Sequence, residues 1–373
     1  MIRFLHSSDL HLGKRFGNLP EDLRGRLREA RHTAIERLAG QARQHGAGII
    51  LLAGDTFDTE TPAPYILRQA LAAMGAHDDL RWIVLPGNHD SLLAEDLWQT
   101  VLKEKPANVD LTLAAEPLWL TPDAVVLPAP CTSRRPGRDV TLWMDGCDTG
   151  DAVRIGLAHG AIQTFSEDGN AADVIAPDRA RHAGLDYLAL GDWHGQLEIN
   201  RRTWYSGTPE PDRFKHDRPG RALVVSIAAH GADPEVTPVD TGQFEWRTLA
   251  LDLLSGDIPD QALAERLPAG TLRRQILLQV VATGHTSLPG RTALQATMTA
   301  VEPEFAHAVL LEDDLVTDCD SVDLDRIDLA GALRQAAESL LSQGADDSLA
   351  AEDRTVARDA LVRLFTYCEA IKA

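Results

Sequence analysis

Five short stretches concentrate side chains able to hold metal ions: Asp9-Leu10-His11, Gly54-Asp55-Thr56-Phe57-Asp58, Gly87-Asn88-His89-Asp90, Ala158-His159-Gly160 and Gly191-Asp192-Trp193-His194-Gly195. Their donors are carboxylate, carboxamide and imidazole without thiolate, a mixture that suits Mn²⁺, Fe²⁺ or Zn²⁺. So many donors are used economically by a pair of ions that shares one carboxylate. Taken singly, each stretch reads as an ordinary turn, because Asn and Asp bond their own backbone in turns. Their joint order is what marks a site.

Each stretch follows an apolar, strand-like run, so the donors would emerge at the ends of neighbouring strands and converge on one cleft. Ile2 to Leu5 reads as a strand. Leu23, Leu27, Ala30, Ala34, Leu38 and Ala42 then recur at helical spacing until Gly46 and Gly48. Ile49 to Ala53 is apolar throughout, as expected of a strand buried on both faces. A helix over Pro62 to Met74 and a strand over Trp82 to Leu85 follow, giving the alternation of an α/β sheet. Ligands of such sheets gather beyond the carboxyl ends of the strands, where Asp9, Asp55 and Asn88 fall. Val153 to Ala158, Tyr187 to Leu190, Arg221 to Ala229 and Glu245 to Asp252 are further strands, and a sheet sandwich wrapped by helices fits them. Pro128 to Arg138 reads as a Pro/Arg-rich loop. Past about residue 250 the pattern restarts as a separate α+β unit: strands at Gln275 to Ala282 and Phe305 to Leu311, and helices at Arg291 to Val301, Asp328 to Leu341 and Glu352 to Ile371.

At 373 residues, 44% hydrophobic and 25% charged, the chain is long enough for two globular domains. The amino terminus lacks the basic start and apolar segment of a signal peptide, and no apolar run approaches the roughly 20 residues of a membrane span. A cytoplasmic protein without a membrane partner is the expectation. Cys131, Cys147, Cys319 and Cys368 are scattered, so neither a disulfide framework nor a thiolate zinc site is indicated. A net charge of −20 argues against a protein that coats nucleic acid indiscriminately. The segment Glu312 to Asp328, eight acids against Arg326 alone, would repel phosphate and face solvent or a basic partner.

The five stretches resemble the phosphoesterase motifs of the calcineurin-like metallophosphoesterase superfamily. Leu5-His6-Ser7-Ser8-Asp9-Leu10-His11-Leu12-Gly13 and Gly54-Asp55-Thr56-Phe57-Asp58 are most similar to the SbcD-type DNA repair nucleases and their relative YhaO. The resemblance implies a four-layer α/β/β/α metallophosphoesterase sandwich over 1–248 and a smaller α+β capping, partner-docking region over 249–373. It implies that Asp9, His11 and His194 hold a first divalent ion, that Asp55 bridges, and that Asn88 and His159 hold a second. Manganese is the first expectation, with Fe, Mg or Zn as alternatives. His89 would be the general acid rather than a ligand, with Asp58 orienting and charging its imidazole, while a water between the ions becomes the nucleophile. One position departs from the pattern. Where the family has His-x-His, this chain has Asp192-Trp193-His194, so Asp192 takes the place of a second-ion ligand and either binds directly or acts through water.

By the same resemblance, the chain would hydrolyse DNA phosphodiester bonds as an exonuclease or endonuclease in repair, and work with an SbcC-like or YhaN-like coiled-coil ATPase. Homodimerisation is common in the family. Lys14 and Arg15 after the first motif, and Arg201, Arg202, Arg213, Lys215, Arg218 and Arg221 after the last, could make the cleft rim locally positive; Lys14, Arg15 and Arg202 are the substrate-binding candidates. Trp193 and Trp204 could stack on bases or serve as core. Helix Glu352 to Ile371, with Val356, Leu361, Leu364, Phe365 and Cys368 as an apolar stripe, either docks a partner or packs on its own domain. The alternatives are a phosphatase or phosphodiesterase for a small nucleotide or other phosphoester, and a weakly active interaction subunit of an ATPase complex.

Overall fold

The computed structural model describes residues 1–162, 174–216, 219–319 and 321–372. Arg218 of the basic cluster and Asp320 of the acidic segment lie outside the described residues. The chain forms two compact units, Met1–Glu245 and Trp246–Ala373.

The first unit contains strands β1 (Ile2–Ser7), β2 (Ile49–Leu52), β3 (Arg81–Val84), β4 (Val109–Leu111), β5 (Leu118–Thr121), β6 (Ala124–Ala129), β7 (Val153–His159), β8 (Tyr187–Gly191), β9 (Leu197–Asn200), β10 (Thr203–Tyr205), β11 (Arg221–Ile227) and β12 (Glu235–Asp240). They build two six-stranded sheets, in the orders β12-β11-β1-β2-β3-β4 and β5-β6-β7-β8-β10-β9. Helices α1 (Glu21–Gln44), α2 (Pro64–Gly75) and α3 (Glu95–Glu104) cover the outer face of the first sheet, and the short α4 (Arg179–His182) packs on that of the second. Period-two alternation assigns the layers. Leu5, Ile50 and Leu52 join Ile35, Leu38, Leu67 and Trp98 beneath the helices. Their neighbours Phe4, Leu51 and Ala53 turn the other way and meet Val126, Ile155, Leu157 and Tyr187 between the sheets. The outward residues Val125, Leu127, Leu188 and Leu190 pack with Met144, Ala180 and Ala183. This is the α/β/β/α sandwich.

Strands β1, β2 and β3 are parallel to one another, as are β6, β7 and β8. Their carboxyl ends therefore collect at one side of each sheet, and the five motifs follow β1, β2, β3, β7 and β8. β6 falls partly where the sequence suggested a loop, because Pro128 is an unpromising strand residue. The structure accommodates it where β5, which pairs only with Ala124 to Val126, no longer needs a backbone donor, while β7 continues alongside to Ala129.

The second unit holds β13 (Glu245–Leu253), α5 (Pro259–Arg266), β14 (Ile276–Ser287), α6 (Leu288–Val301), β15 (His307–Leu311), β16 (Leu315–Asp318), α7 (Ser321–Ile327), α8 (Ala332–Ala345) and α9 (Ala351–Lys372). Its sheet runs β13-β14-β15, with β16 also paired to β14. On α9, Leu361, Phe365 and Cys368 are buried against Leu288, Leu324, Ile327 and Ala337, so most of the stripe considered for docking closes this unit's own core; Val356 remains 66% exposed. Among the described residues no helix is long and apolar enough to cross a membrane.

Candidate metal centre

The motif backbones are zipped together before any side chain is considered. Asp9 N donates to Gly54 O at 3.1 Å, His11 N to Asp55 O at 2.9 Å, and Leu12 N to Thr56 O at 2.9 Å. Asp9, His11, Asp55 and Asp192 all have positive φ, at 55°, 42°, 53° and 102°. Four non-glycine residues in that region, gathered at one place, are costly and persist only where the surroundings enforce them. Glycine makes the close approach possible. A Cβ on Gly54 would stand 2.3 Å from His159 Nδ1, and one on Gly87 would stand 2.1 Å from Asp55 Oδ1.

Within this frame Asp9, His11 and His194 form one group of converging donors and Asp9, Asp55 and His159 another, each with its donor atoms within 4.8 Å of one another. Asp9 is common to both. Asp55 joins them a second time, because its Oδ2 lies 3.5 Å from His11 Nε2 and 3.5 Å from His159 Nε2. Asn88 and Asp192 stand beside the second group: Asn88 Nδ2 donates to Asp192 Oδ1 at 3.0 Å, and that oxygen lies 3.8 Å from His159 Nε2. Asp9, His11, Asp55 and His159 are buried, while Asn88, His89, Asp192 and His194 are partly exposed and open the site to solvent.

The donor set fits cations. His11 Nε2 and His194 Nε2 face each other at 3.1 Å, an approach of two ring nitrogens that a positive charge between them relieves. His159 Nε2 and Asn88 Oδ1 are buried yet lack a hydrogen-bond partner among the described residues. Such groups call for an ion or water. His11 is pushed down by burial, against the pull of Asp58, which favours the neutral imidazole that a metal needs.

Acidity matters differently at His159. Burial would lower it, but the nearby Asp55 carboxylate holds it well above the usual imidazole value, and Asp55 is itself drawn down by His159 and His11 against its own burial. A cation held by His159 would have to displace that proton. Metal affinity is therefore expected to fall as pH drops below the raised His159 value, with about one proton released per ion bound there. Calorimetric titrations with Mn²⁺ in buffers of different ionisation enthalpy measure that proton, and pH-independent binding without proton release would contradict the assignment.

His89 and Asp58 are near each other but not as expected. His89 Nδ1 pairs with the backbone carbonyl of Asp58 at 3.0 Å. The Asp58 carboxylate instead lies 3.3 Å from His11 Nδ1. The cause is the bridge between Leu12 and Phe57, reinforced by Asp58 N donating to Leu12 O at 3.1 Å, which draws residue 58 alongside the first motif. The carbonyl still orients His89, so the ring is held, but the charge falls on His11. His89 N also donates to Asp55 Oδ1 at 2.9 Å.

The basic rim is thinner than its sequence. Lys14 Nζ pairs with Asp212 at 2.5 Å, and Arg213 Nε approaches the same carboxylate at 3.2 Å. Arg202 bonds the Leu185 and Gly231 carbonyls and lies 3.5 Å from Asp186 and 3.3 Å from Asp233. Leu185 and Asp186 precede β8, whereas the metal donors follow it, so Arg202 is not brought to the centre. Arg15 is exposed. Trp193 is half-buried beneath the Lys215 ammonium, 5.4 Å from its ring, and Trp204 bonds the Arg201 carbonyl at 3.2 Å.

The calcineurin-like phosphoesterase family model matches residues 2–230. This chain belongs to the calcineurin-like phosphoesterases. It is similar to SbcD, a component of the nuclease SbcCD of Escherichia coli, 31% identical over 137 residues that make up 35% of this chain and 32% of the relative. It is also similar to the metallophosphoesterase YhaO of Bacillus subtilis, 32% identical over 124 residues, 31% of this chain and 29% of that protein. The chain thus spans about a third of the length of the curated relatives it matches. Among solved structures, TT1561 of Thermus thermophilus aligns with a TM-score of 0.41 at 12% identity, covering 64% of this chain and 99% of that one.

Two residues that bear on the candidate donors have no signal in the sequence. Asp212, whose side chain is 1% exposed, accepts from or shares a proton with His194 Nδ1 at 3.0 Å. No spacing rule singles it out, though it immediately precedes Arg213 of the basic cluster. Arg31 lies on the buried face of α1 between Leu27 and Ala34, where the helical period called for an apolar residue. Its guanidinium donates to the carbonyls of Leu10 at 2.7 Å, Asp9 at 2.8 Å and Glu210 at 2.8 Å, tying the first motif to the segment carrying Asp212. Arg31→Met, which keeps the volume and removes the donors, should cost roughly 3–5 kcal/mol in urea unfolding, because buried acceptors lose a charged partner. A change below about 0.5 kcal/mol, the ordinary surface range, would show that the clamp is dispensable.

Proposed function

We propose that the chain is a two-metal phosphodiesterase that hydrolyses DNA phosphodiester bonds. The observation that carries the reading is Asp55 Oδ2, equidistant at 3.5 Å from imidazole nitrogens of two different motifs. Asp9, His11 and His194 would hold one divalent ion, Asn88, His159 and Asp192 the other, and Asp55 both. When bound, such ions acidify a water as nucleophile and neutralise charge on the phosphoryl oxygens. Manganese suits this oxygen-rich set, and the carboxylate of Asp192 in place of an imidazole makes the second position harder.

The chain's own groups do the rest. The Asp58 carbonyl takes the Nδ1–H of His89, so the doubly protonated ring would present its second proton on Nε2 to the leaving oxygen. The backbone N–H of His89 holds Asp55 Oδ1, so Oδ2 is the oxygen left for sharing. The buried motifs keep bulk water off one side of the site, and the partly exposed Asn88, His89, Asp192 and His194 form its mouth.

A nuclease role, with DNA as substrate and an SbcC-like or YhaN-like ATPase as partner, is supported by the similarity to SbcD of the nuclease SbcCD. The region over 249–373 would dock that partner, and a homodimer fits the same reading. One observation favours a second reading, a small phosphoester substrate: Lys14, Arg201, Arg202, Arg213 and Arg221 are each ion-paired within the first unit rather than free to track a phosphate backbone. Parallel assays with Mn²⁺ on labelled oligonucleotides and on mononucleotides separate them. Turnover of oligonucleotides is expected; turnover of mononucleotides alone would overturn the nuclease assignment.

A further inference from the structure

The two groups of donors differ in what stands behind their imidazoles. His194 Nδ1 meets the Asp212 carboxylate at 3.0 Å, and His11 Nδ1 lies 3.3 Å from the Asp58 carboxylate. His159 Nδ1, by contrast, meets the neutral carbonyl of Ala53 at 2.9 Å. A carboxylate behind an imidazole fixes the proton on Nδ1, bares Nε2 and makes it a stronger donor, and loss of such a partner ordinarily weakens metal binding 10–100-fold. Asp212 is placed for that task. Its side chain is 1% exposed; one oxygen faces His194 Nδ1 at 3.0 Å and Arg213 Nε at 3.2 Å, and the other pairs with Lys14 Nζ at 2.5 Å. The ammonium lies on the oxygen that does not face the imidazole.

We infer that Asp212, held by Lys14, is a positioning residue that makes the Asp9/His11/His194 position the tighter of the two cation positions, so that the centre fills in a fixed order. The inference rests on the two-metal reading above. It also gives Lys14 a task other than substrate contact, because its ammonium is committed to Asp212. The second position, served by His159, neutral Asn88 and the partly exposed Asp192, fills later and exchanges more readily.

Calorimetric titration of the full chain with Mn²⁺, in wild type and in Asp212→Asn, tests this. Two binding events are expected in wild type, and the variant should weaken the tighter one 10–100-fold while leaving the weaker one in place. His159→Ala should remove the weaker event. Nitrogen-15 histidine spectra add a readout that does not depend on metal: His194 should carry its proton on Nδ1 in wild type and lose that preference in Asp212→Asn. An unchanged tighter event in Asp212→Asn, or loss of the tighter event in His159→Ala, would overturn the assignment while sparing the dinuclear reading. A single event in wild type would overturn both.

Discussion

Asp55→Asn is expected to leave the protein folded but without its paired metal site and without phosphodiesterase activity. Asp55 Oδ2 stands 3.5 Å from both His11 Nε2 and His159 Nε2, and Oδ1 is already committed to His89 N at 2.9 Å. An amide at this position has one acceptor oxygen and no charge, so it can satisfy either the backbone N–H or a cation, not both. A unit charge at about 4 Å interacts by about 4 kcal/mol at an effective dielectric of 20, which corresponds to roughly a 10³-fold loss of affinity. A divalent ion at each position loses at least that. Metal analysis after gel filtration measures the result, and retention of two equivalents by the variant would show that Asp55 is not shared.

His89→Gln should do the opposite, keeping the metals and losing turnover by about 10²–10⁴-fold, the usual contribution of a positioned general acid. The separation follows from which atoms are used. His89 supports Asp55 through its backbone N–H, which the substitution leaves alone, and contributes only its ring to the reaction. The ring packs edge-on against His11, with centroids 4.8 Å apart, so glutamine of similar reach preserves the neighbouring shape. Oligonucleotide turnover measured beside Mn²⁺ affinity gives both numbers. A variant that keeps full activity would remove His89 from the mechanism, and one that loses metal would make it structural.

The gathering of the candidate donors was legible because it depends on short-range rules. An apolar run followed by Gly-Asp or Gly-Asn-His places polar donors at a strand end, and parallel strands bring those ends together. The layers were legible for the same reason, since Phe4 and Leu5, or Ile50 and Leu51, alternate between two cores. Partnerships that depend on how two turns register were not legible. Asp58 offers both a carbonyl and a carboxylate, and only the Leu12–Phe57 bridge decides that the carbonyl goes to His89 and the carboxylate to His11. Asp212 and Arg31 reach the site from distant parts of the chain with no spacing to announce them. Arg202 lies close to the last motif in sequence, yet β9, antiparallel to β10 and so to β8, carries the chain back along the sheet, and Arg202 meets Asp186 at the other end of β8.

Electron paramagnetic resonance of the Mn²⁺-loaded chain tests the central claim, that two cations share Asp55. With two equivalents bound, an exchange-coupled signal from a close pair of ions is expected, and Asp55→Asn should abolish it. The six-line signal of isolated Mn²⁺ in the fully loaded wild-type protein would contradict a shared dinuclear centre.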